Sequence, residues 1–147
     1  MNDEIKLANQ LGFTFFSANR LFNKFYQQAL EPFALTYPQY LILLHLWERD
    51  NQTLRELGLE LGLANNKLRP LLGRLKKDGW IARSSVPYDK RQFAVKLTEK
   101  GKDSQAVILK AVSELVGRDH LNIERYRQAL KVNEELLTAL ESAVKNE

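Results

Sequence analysis

A mainly α-helical chain with one small β-hairpin is the fold class that three features of the sequence predict. Glycine and proline are scarce, at 7 and 4 of 147 residues, while Leu, Ala, Glu and Lys abound, which favours helices over a sandwich or barrel. Apolar residues recur at steps of three and four along most of the chain, as on the buried face of a helix. Between Trp80 and Leu97 the pattern becomes strand-like, two short runs flanking a polar stretch with a proline. With 44% hydrophobic residues the chain can bury a core of its own, as one compact domain with helical extensions.

In the first helix, Leu7, Leu11, Phe15, Ala18, Phe22 and Phe25 form one face, and Phe13, Phe16 and Tyr26 widen it, so more than one neighbour is needed to cover it. Gly12 within it costs up to about 1 kcal/mol relative to alanine. The helix is expected to end near Glu31-Pro32, because proline disfavours helical geometry in the residue before it. Thr36 is the expected N-cap of the second helix and Gln39 closes its capping box. From Tyr40 to Trp47 this helix is apolar almost all round, the mark of a central buried element.

After a polar turn over Arg49 to Gln52, Thr53 and Glu56 form a second capping box, with Leu54, Leu57 and Leu61 inward and Gly62 ending the helix. Asn65-Asn66 starts the next, carrying Leu68, Leu71, Leu72 and Leu75. Pro70 is tolerable there if it lies within the first turn or so, and otherwise kinks the helix. Asp78-Gly79 closes it. Trp80 to Arg83 is one strand, Ser84 to Lys90 a polar tip, and Phe93, Val95 and Leu97 the returning strand; two short strands must lean on helices to be stable. Thr98 to Gly101 caps a further helix with Ile108, Leu109, Val112, Leu115 and Val116, interrupted at Gly117 to His120. A last helix from Asn122 carries Leu130, Leu137 and Val144 at seven-residue steps. The central segment is too small to cover the terminal helices, so pairing of two chains through them is the economical way to bury them.

The charge is concentrated. Between Asn65 and Lys102 eleven Lys or Arg stand against three acids, a net of +8, while the whole chain is only +4. A dense basic element of this kind points to a phosphate-backbone partner, through counterion release. The absence of cysteine excludes disulfides, thiolate metal sites and cysteine redox chemistry. No nucleophile with a base, no metal cluster and no phosphate-binding glycine loop is present, so no enzyme and no cofactor are expected. The polar, acidic start and the lack of a long apolar run predict a cytoplasmic protein without membrane attachment. His45 and His120 lack metal-ligand spacing and are read as a packed residue and a turn residue.

Helix, turn, helix and basic hairpin in that order make a winged helix-turn-helix, whose second helix enters the major groove of DNA. Its outward residues are expected to be Asn65, Asn66, Lys67, Arg69 and Arg74; Asn pairs with adenine, Arg with guanine, and Lys or Arg with phosphates. Asp89-Lys90-Arg91 at the hairpin tip places Arg91 to enter a narrow minor groove, with Asp89 orienting it. A merely solvated basic face is the plain alternative for the helix taken alone.

The run Leu35-Thr36-Tyr37-Pro38-Gln39-Tyr40-Leu41, the stretch Leu54 to Leu61 with Glu56-Leu57-Gly58, Leu68-Arg69-Pro70-Leu71-Leu72 with Leu75, the wing Asp89-Lys90-Arg91 and Leu97-Thr98-Glu99-Lys100-Gly101 resemble the MarR family of bacterial regulators, and its organic-hydroperoxide-sensing branch most of all. The resemblance implies a homodimeric repressor on a pseudo-palindromic operator, nucleoid-associated, with effector pockets between the dimer helices and the DNA-binding lobe. It implies base-reading positions at Asn65, Lys67 and Arg69 and the minor-groove position at Arg91. It also implies a dimerisation helix over 1–36, a DNA-binding lobe over 37–97 and further dimerisation helices over 98–147. The branch carries a reactive cysteine in a Gln-Leu-Cys-Phe context, where this chain reads Gln10-Leu11-Gly12-Phe13; the two tyrosines that pair with that cysteine persist as Tyr26 and Tyr37. Without a thiolate there is no peroxidatic nucleophile. The expectation is instead an aromatic pocket at Gly12, Phe16, Tyr26 and Tyr37 for a small apolar or phenolic effector, against the alternative that these aromatics fill core. The competing function is a winged-helix module with constitutive DNA binding or a protein partner.

Overall fold

The computed structural model describes residues 1–86, 93–118 and 122–145. The elements run α1 (Asp3–Leu30), a 3-10 turn (Glu31–Phe33), α2 (Tyr37–Glu48), β1 (Gln52–Thr53), α3 (Leu54–Leu61), α4 (Asn65–Lys77), β2 (Ile81–Ser85), β3 (Phe93–Leu97), α5 (Glu99–Asp103), α6 (Gln105–Arg118) and α7 (Ile123–Lys145). They fall into two compact units, Met1–Ser113 and Glu114–Glu147. Among the described residues no helix is long and apolar enough to cross a membrane.

Local chemistry sets most boundaries in the first unit. Pro32 lies in the 3-10 turn that follows α1, and the chain turns back through Ala34 in the left-handed region. Both expected capping boxes form: Thr36 accepts from the Gln39 amide while the Gln39 side chain accepts from Thr36 N, and Thr53 and Glu56 do the same at α3. Gly62 ends α3 with φ +66°. The core collects around α2, whose Ile42, Leu43 and Leu46 are fully buried together with Leu57 of α3, Leu68 and Leu75 of α4, and Ile81 of β2. His45 is half-buried, its Nδ1 2.7 Å from the Leu41 carbonyl, as a packed histidine would be.

The sheet has three antiparallel strands in the order β1-β3-β2, one more than the sequence pattern predicts. β1 is a two-residue strand made of the last residue of the expected polar turn and the N-cap of α3, with Gln52 opposite Val95 and Thr53 opposite Ala94. Gln52 is buried, and its amide donates to the His45 and Arg49 carbonyls at 3.0 and 2.7 Å, so it caps the end of α2. β2 extends through Ser84 and Ser85, which pair with Ala94 and Phe93, beyond the strand end expected at Arg83. The single helix expected after Thr98 is divided at Ser104 into α5 and α6. Gly101, buried in α5, leaves no room for a side chain: a Cβ there would run into the Trp80 carbonyl oxygen and approach Leu97 Cδ2 to 3.0 Å. Its own carbonyl accepts from Trp47 Nε1 at 2.9 Å.

In the second unit α7 starts at the Asn122 side chain, which accepts from Arg125 N at 3.2 Å. Leu130, Leu137, Leu140 and Val144 along it are all more than half exposed. The expected turn residue His120 lies outside the described residues.

Candidate nucleic-acid interface

The second helix of the helix-turn-helix, α4, buries Leu68, Leu72 and Leu75 and exposes all five residues expected to face outward: Asn65, Asn66, Lys67, Arg69 and Arg74. It begins at Asn65, but its N-cap is Ala64, which has no side chain to bond, so neither asparagine amide is spent on capping. At about 100° per residue, Lys67 and Arg69 sit roughly 160° apart on two flanks of the exposed arc. Between them runs a crest of Asn66, Pro70, Gly73 and Lys77. Pro70 is the sixth helical residue, and the helix continues through it although its ring nitrogen cannot donate to the Asn66 carbonyl. A Cβ at Gly73 would meet nothing within 4 Å, so the crest is low and open. Arg74, Lys76 and Lys77 in the last turn also complement the helix dipole. Gly79, at φ +85°, closes a Schellman turn in which Trp80 N donates to Leu75 O at 2.9 Å and Gly79 N to Lys76 O at 3.1 Å.

One cation of α4 and one of the sheet meet at the same aromatic ring. Arg83 is an exposed residue of β2, and register places it opposite Val95 and diagonal to Phe93. Its guanidinium carbon lies 4.4 Å from the centroid of the Phe93 ring, and that of Arg69 lies 5.6 Å from the same centroid. Two cavities border this contact. The larger, about 430 Å³, is lined by Thr53, Arg55, Leu59, Asn65, Arg69 and Phe93 among others. The smaller, about 160 Å³, is lined by Arg69, Lys76, Arg83 and Phe93 over Leu72 and Val95. Arg83, Lys76 and Phe93 are therefore members of the site that the pattern of outward α4 residues missed. Alternation in β2 was the available signal for Arg83; the ring contact has none, since it depends on strand register. The expected wing residues Asp89, Lys90 and Arg91 lie outside the described residues.

The strands are anchored at their base. Asp50 Oδ1 accepts from Leu97 N and from Asn51 N, both at 2.8 Å, and Ser84 Oγ donates to Asn51 Oδ1 at 2.6 Å. Lys100 Nζ donates to the Asp78 carbonyl at 2.8 Å and sits 4.2 Å from the Trp80 ring centroid, tying the end of α4 to α5.

Of the expected effector pocket, the structure brings together only two members. Tyr26 of α1 and Tyr37 of α2 stack with centroids 4.6 Å apart and planes at 26°. Tyr40 is buried beneath them, and that burial, with the neighbouring Tyr26 and Tyr37 phenols, pushes its pKa up to about 12; burial also raises Tyr37. Gly12 and Phe16 do not join them. At 1.5 Å per helical residue they lie about 21 and 15 Å up α1 from Tyr26, so one chain cannot line a single small cavity with all four. Phe16 is 69% exposed and a Cβ on Gly12 would touch nothing.

The chain matches the family described as transcriptional regulator SarA/Rot over residues 24–108. It is 39% identical to the organic hydroperoxide resistance transcriptional regulator of Bacillus subtilis (strain 168) over 99 residues, 67% of each protein. Among solved structures it resembles reduced AbfR bound to DNA, at 39% identity and a TM-score of 0.87 over 97% of this chain and 98% of that one; AbfR is a protein of Staphylococcus epidermidis. It resembles disulfide-formed AbfR at 38% identity and a TM-score of 0.68 over 94% of both chains. These relatives are DNA-binding regulators with the winged-helix architecture, and the expected likeness to hydroperoxide regulators without their cysteine is borne out.

Proposed function

The chain belongs to the SarA/Rot family of transcriptional regulators, and from that membership we propose that it is a cytoplasmic, homodimeric repressor that occludes a pseudo-palindromic operator. One observation carries this reading: Arg69 and Lys76 of α4 and Arg83 of β2 line one exposed recess, beside a crest of α4 that is open to solvent. Cations converging from a helix and a neighbouring strand fit a duplex, in which groove edges and phosphates alternate over a few ångströms. Asn65, Lys67 and Arg69 take the base edges, Asn66 and Arg74 the neighbouring phosphates, and Arg91 the minor groove with Asp89 and Lys90 beside it. DNA-bound AbfR supports the reading.

Release works by a different route from a disulfide. AbfR has a disulfide-formed state, and this chain has no cysteine. The stacked Tyr26–Tyr37 pair is the seat of a small apolar or phenolic effector, completed by Gly12 and Phe16 of a second copy, because only another chain brings those two residues within reach. The effector acts by favouring a spacing of the two α4 helices that no longer spans successive grooves.

Selection of bound duplexes from a random pool tests the proposal. The expected result is an inverted repeat whose half-sites lie about one helical turn apart. Arg74→Ala should weaken all sequences evenly and reduce the salt slope by about one, whereas Arg91→Ala should relax preference at A/T-rich flanks. Affinity independent of sequence would instead support a constitutive architectural role. Phenols that change neither operator affinity nor melting would leave Tyr26 and Tyr37 as packing alone.

A further inference from the structure

The ring of Phe93 holds two guanidiniums, one from α4 and one from β2, and it does so where the two cavities meet. We infer that Phe93 is a positioning residue for sequence recognition: it fixes the direction of Arg69 and yokes it to Arg83, so that helix and strand present one preset pair of cations to the duplex. The inference rests on the DNA-binding reading above and concerns how specificity is achieved within it.

Three observations converge. Both guanidinium carbons lie within cation–π reach of one ring, at 4.4 and 5.6 Å. Both cavities share Arg69 and Phe93 as wall, so Arg69 has open space to either side and would sweep through it without the ring. Among the described residues neither Arg69 nor Arg83 has a carboxylate within ion-pair distance, while Arg49 engages both Glu56 and Glu60. Aromatic contact is thus the restraint the described surroundings offer to Arg69.

The physical consequence follows from chain entropy. An arginine is among the side chains that lose most rotamer freedom on binding, and a planar fork held in place beforehand loses less. A phosphate accepts a guanidinium from many directions, but a guanine edge accepts one bidentately from only a narrow range. Fixing Arg69 therefore favours specific over non-specific DNA. Phe93 itself need touch no base. Its place at the first position of β3 puts it opposite Ser85, on the strand that also carries Arg83.

The test compares Phe93→Leu and Phe93→Trp with the wild-type chain on the selected operator and on a scrambled duplex. Phe93→Leu should lower the ratio of specific to non-specific affinity about tenfold. It should relax the same base pairs as Arg69→Met, and cost nothing further in an Arg69→Met background. Phe93→Trp, which keeps an aromatic face, should hold the ratio within about threefold of wild type. Should Phe93→Leu lose its cooperative melt, Phe93→Met replaces it under the same criteria. An unchanged ratio in the leucine variant, equal losses in the leucine and tryptophan variants, or relaxation at other base pairs would each overturn the role of Phe93 alone. A wild-type chain that selects no sequence would overturn the DNA-binding reading, and this inference with it.

Discussion

Single residues carry much of the logic of this chain, and two of them make sharp tests. Gly101 is set by a close approach and not by its backbone angles: its missing side chain is what allows the Trp80 carbonyl and Leu97 to close over α5. Gly101→Ala should therefore destabilise the fold by about 1–3 kcal/mol, the usual cost of overpacking, seen as a lower urea midpoint with an unchanged slope. Tyr40 makes the second test. Its pKa stands raised from 10.0 to about 12, first by burial and then by Tyr26 and Tyr37. The folded chain thus keeps this proton between about pH 10 and 12 where the unfolded chain has lost it. Stability from Tyr40 is complete below pH 10 and falls as the pH climbs toward 12, so melting temperature should drop over that window and drop less steeply in Tyr40→Phe. Motifs confined to neighbours were legible at this scale: Thr36 with Gln39 and Thr53 with Glu56 form their boxes because each needs only residues three apart. Gln52 was not legible, since nothing in its composition or period marks an amide that is buried over the end of α2 to satisfy the His45 and Arg49 carbonyls.

Among the elements, α4 combines a well-defined inner face with an outer face built for close approach. Leu68, Leu72 and Leu75 anchor it, while Pro70 and Gly73 keep its crest low. Gly73 sits mid-helix at a cost in stability that no packing contact explains. Gly73→Ala should accordingly stabilise the chain by about 0.5–1 kcal/mol and yet weaken operator binding, because a methyl on the crest stands between helix and groove. Opposite changes in melting temperature and binding, measured on one sample, are the expected signature; gain in both would remove the crest from the interface. The helices were legible as elements because their periods are long. β1 was not, because two residues cannot display a period, and its place beside β3 is held by Asp50 and Asn51, which bond Leu97 N and Ser84 Oγ from far along the chain. The break at Ser104 was likewise hidden, as the apolar spacing from Ile108 onward continues in phase with a single helix.

For the molecule as a whole, exposed apolar surface is the feature that needs an answer. In α1, Leu7, Phe13 and Phe16 are each about two-thirds exposed, and in α7 Leu130, Leu137 and Val144 are each more than half exposed. Water contact on that scale along two helices is unfavourable for a lone chain. Dimerisation through them is the proposed remedy, so melting temperature should rise with protein concentration. Leu137→Asp should abolish that dependence and yield single chains by sedimentation, with operator affinity lost alongside. A wild-type chain that sediments as a monomer at tens of micromolar would remove the dimer, and with it the composite pocket of Tyr26, Tyr37 and the partner copy's Gly12 and Phe16.

What the sequence by itself determined is what neighbours in the chain can settle: the capped helix starts and the glycine and proline stops up to Thr98, the inner leucine rows, the density of cations after Asn65 and the lack of any thiol. The tertiary structure alone decided which distant residues meet. It separated Gly12 and Phe16 from the tyrosines by the length of a helix, and it set Phe93 against Arg69 and Arg83 through strand register and the seat of α4 on the sheet. The division has a simple physical cause. Capping, periodicity and charge act over a few residues, whereas stacking and cavity walls act through space between groups whose distance along the chain is no guide to their separation.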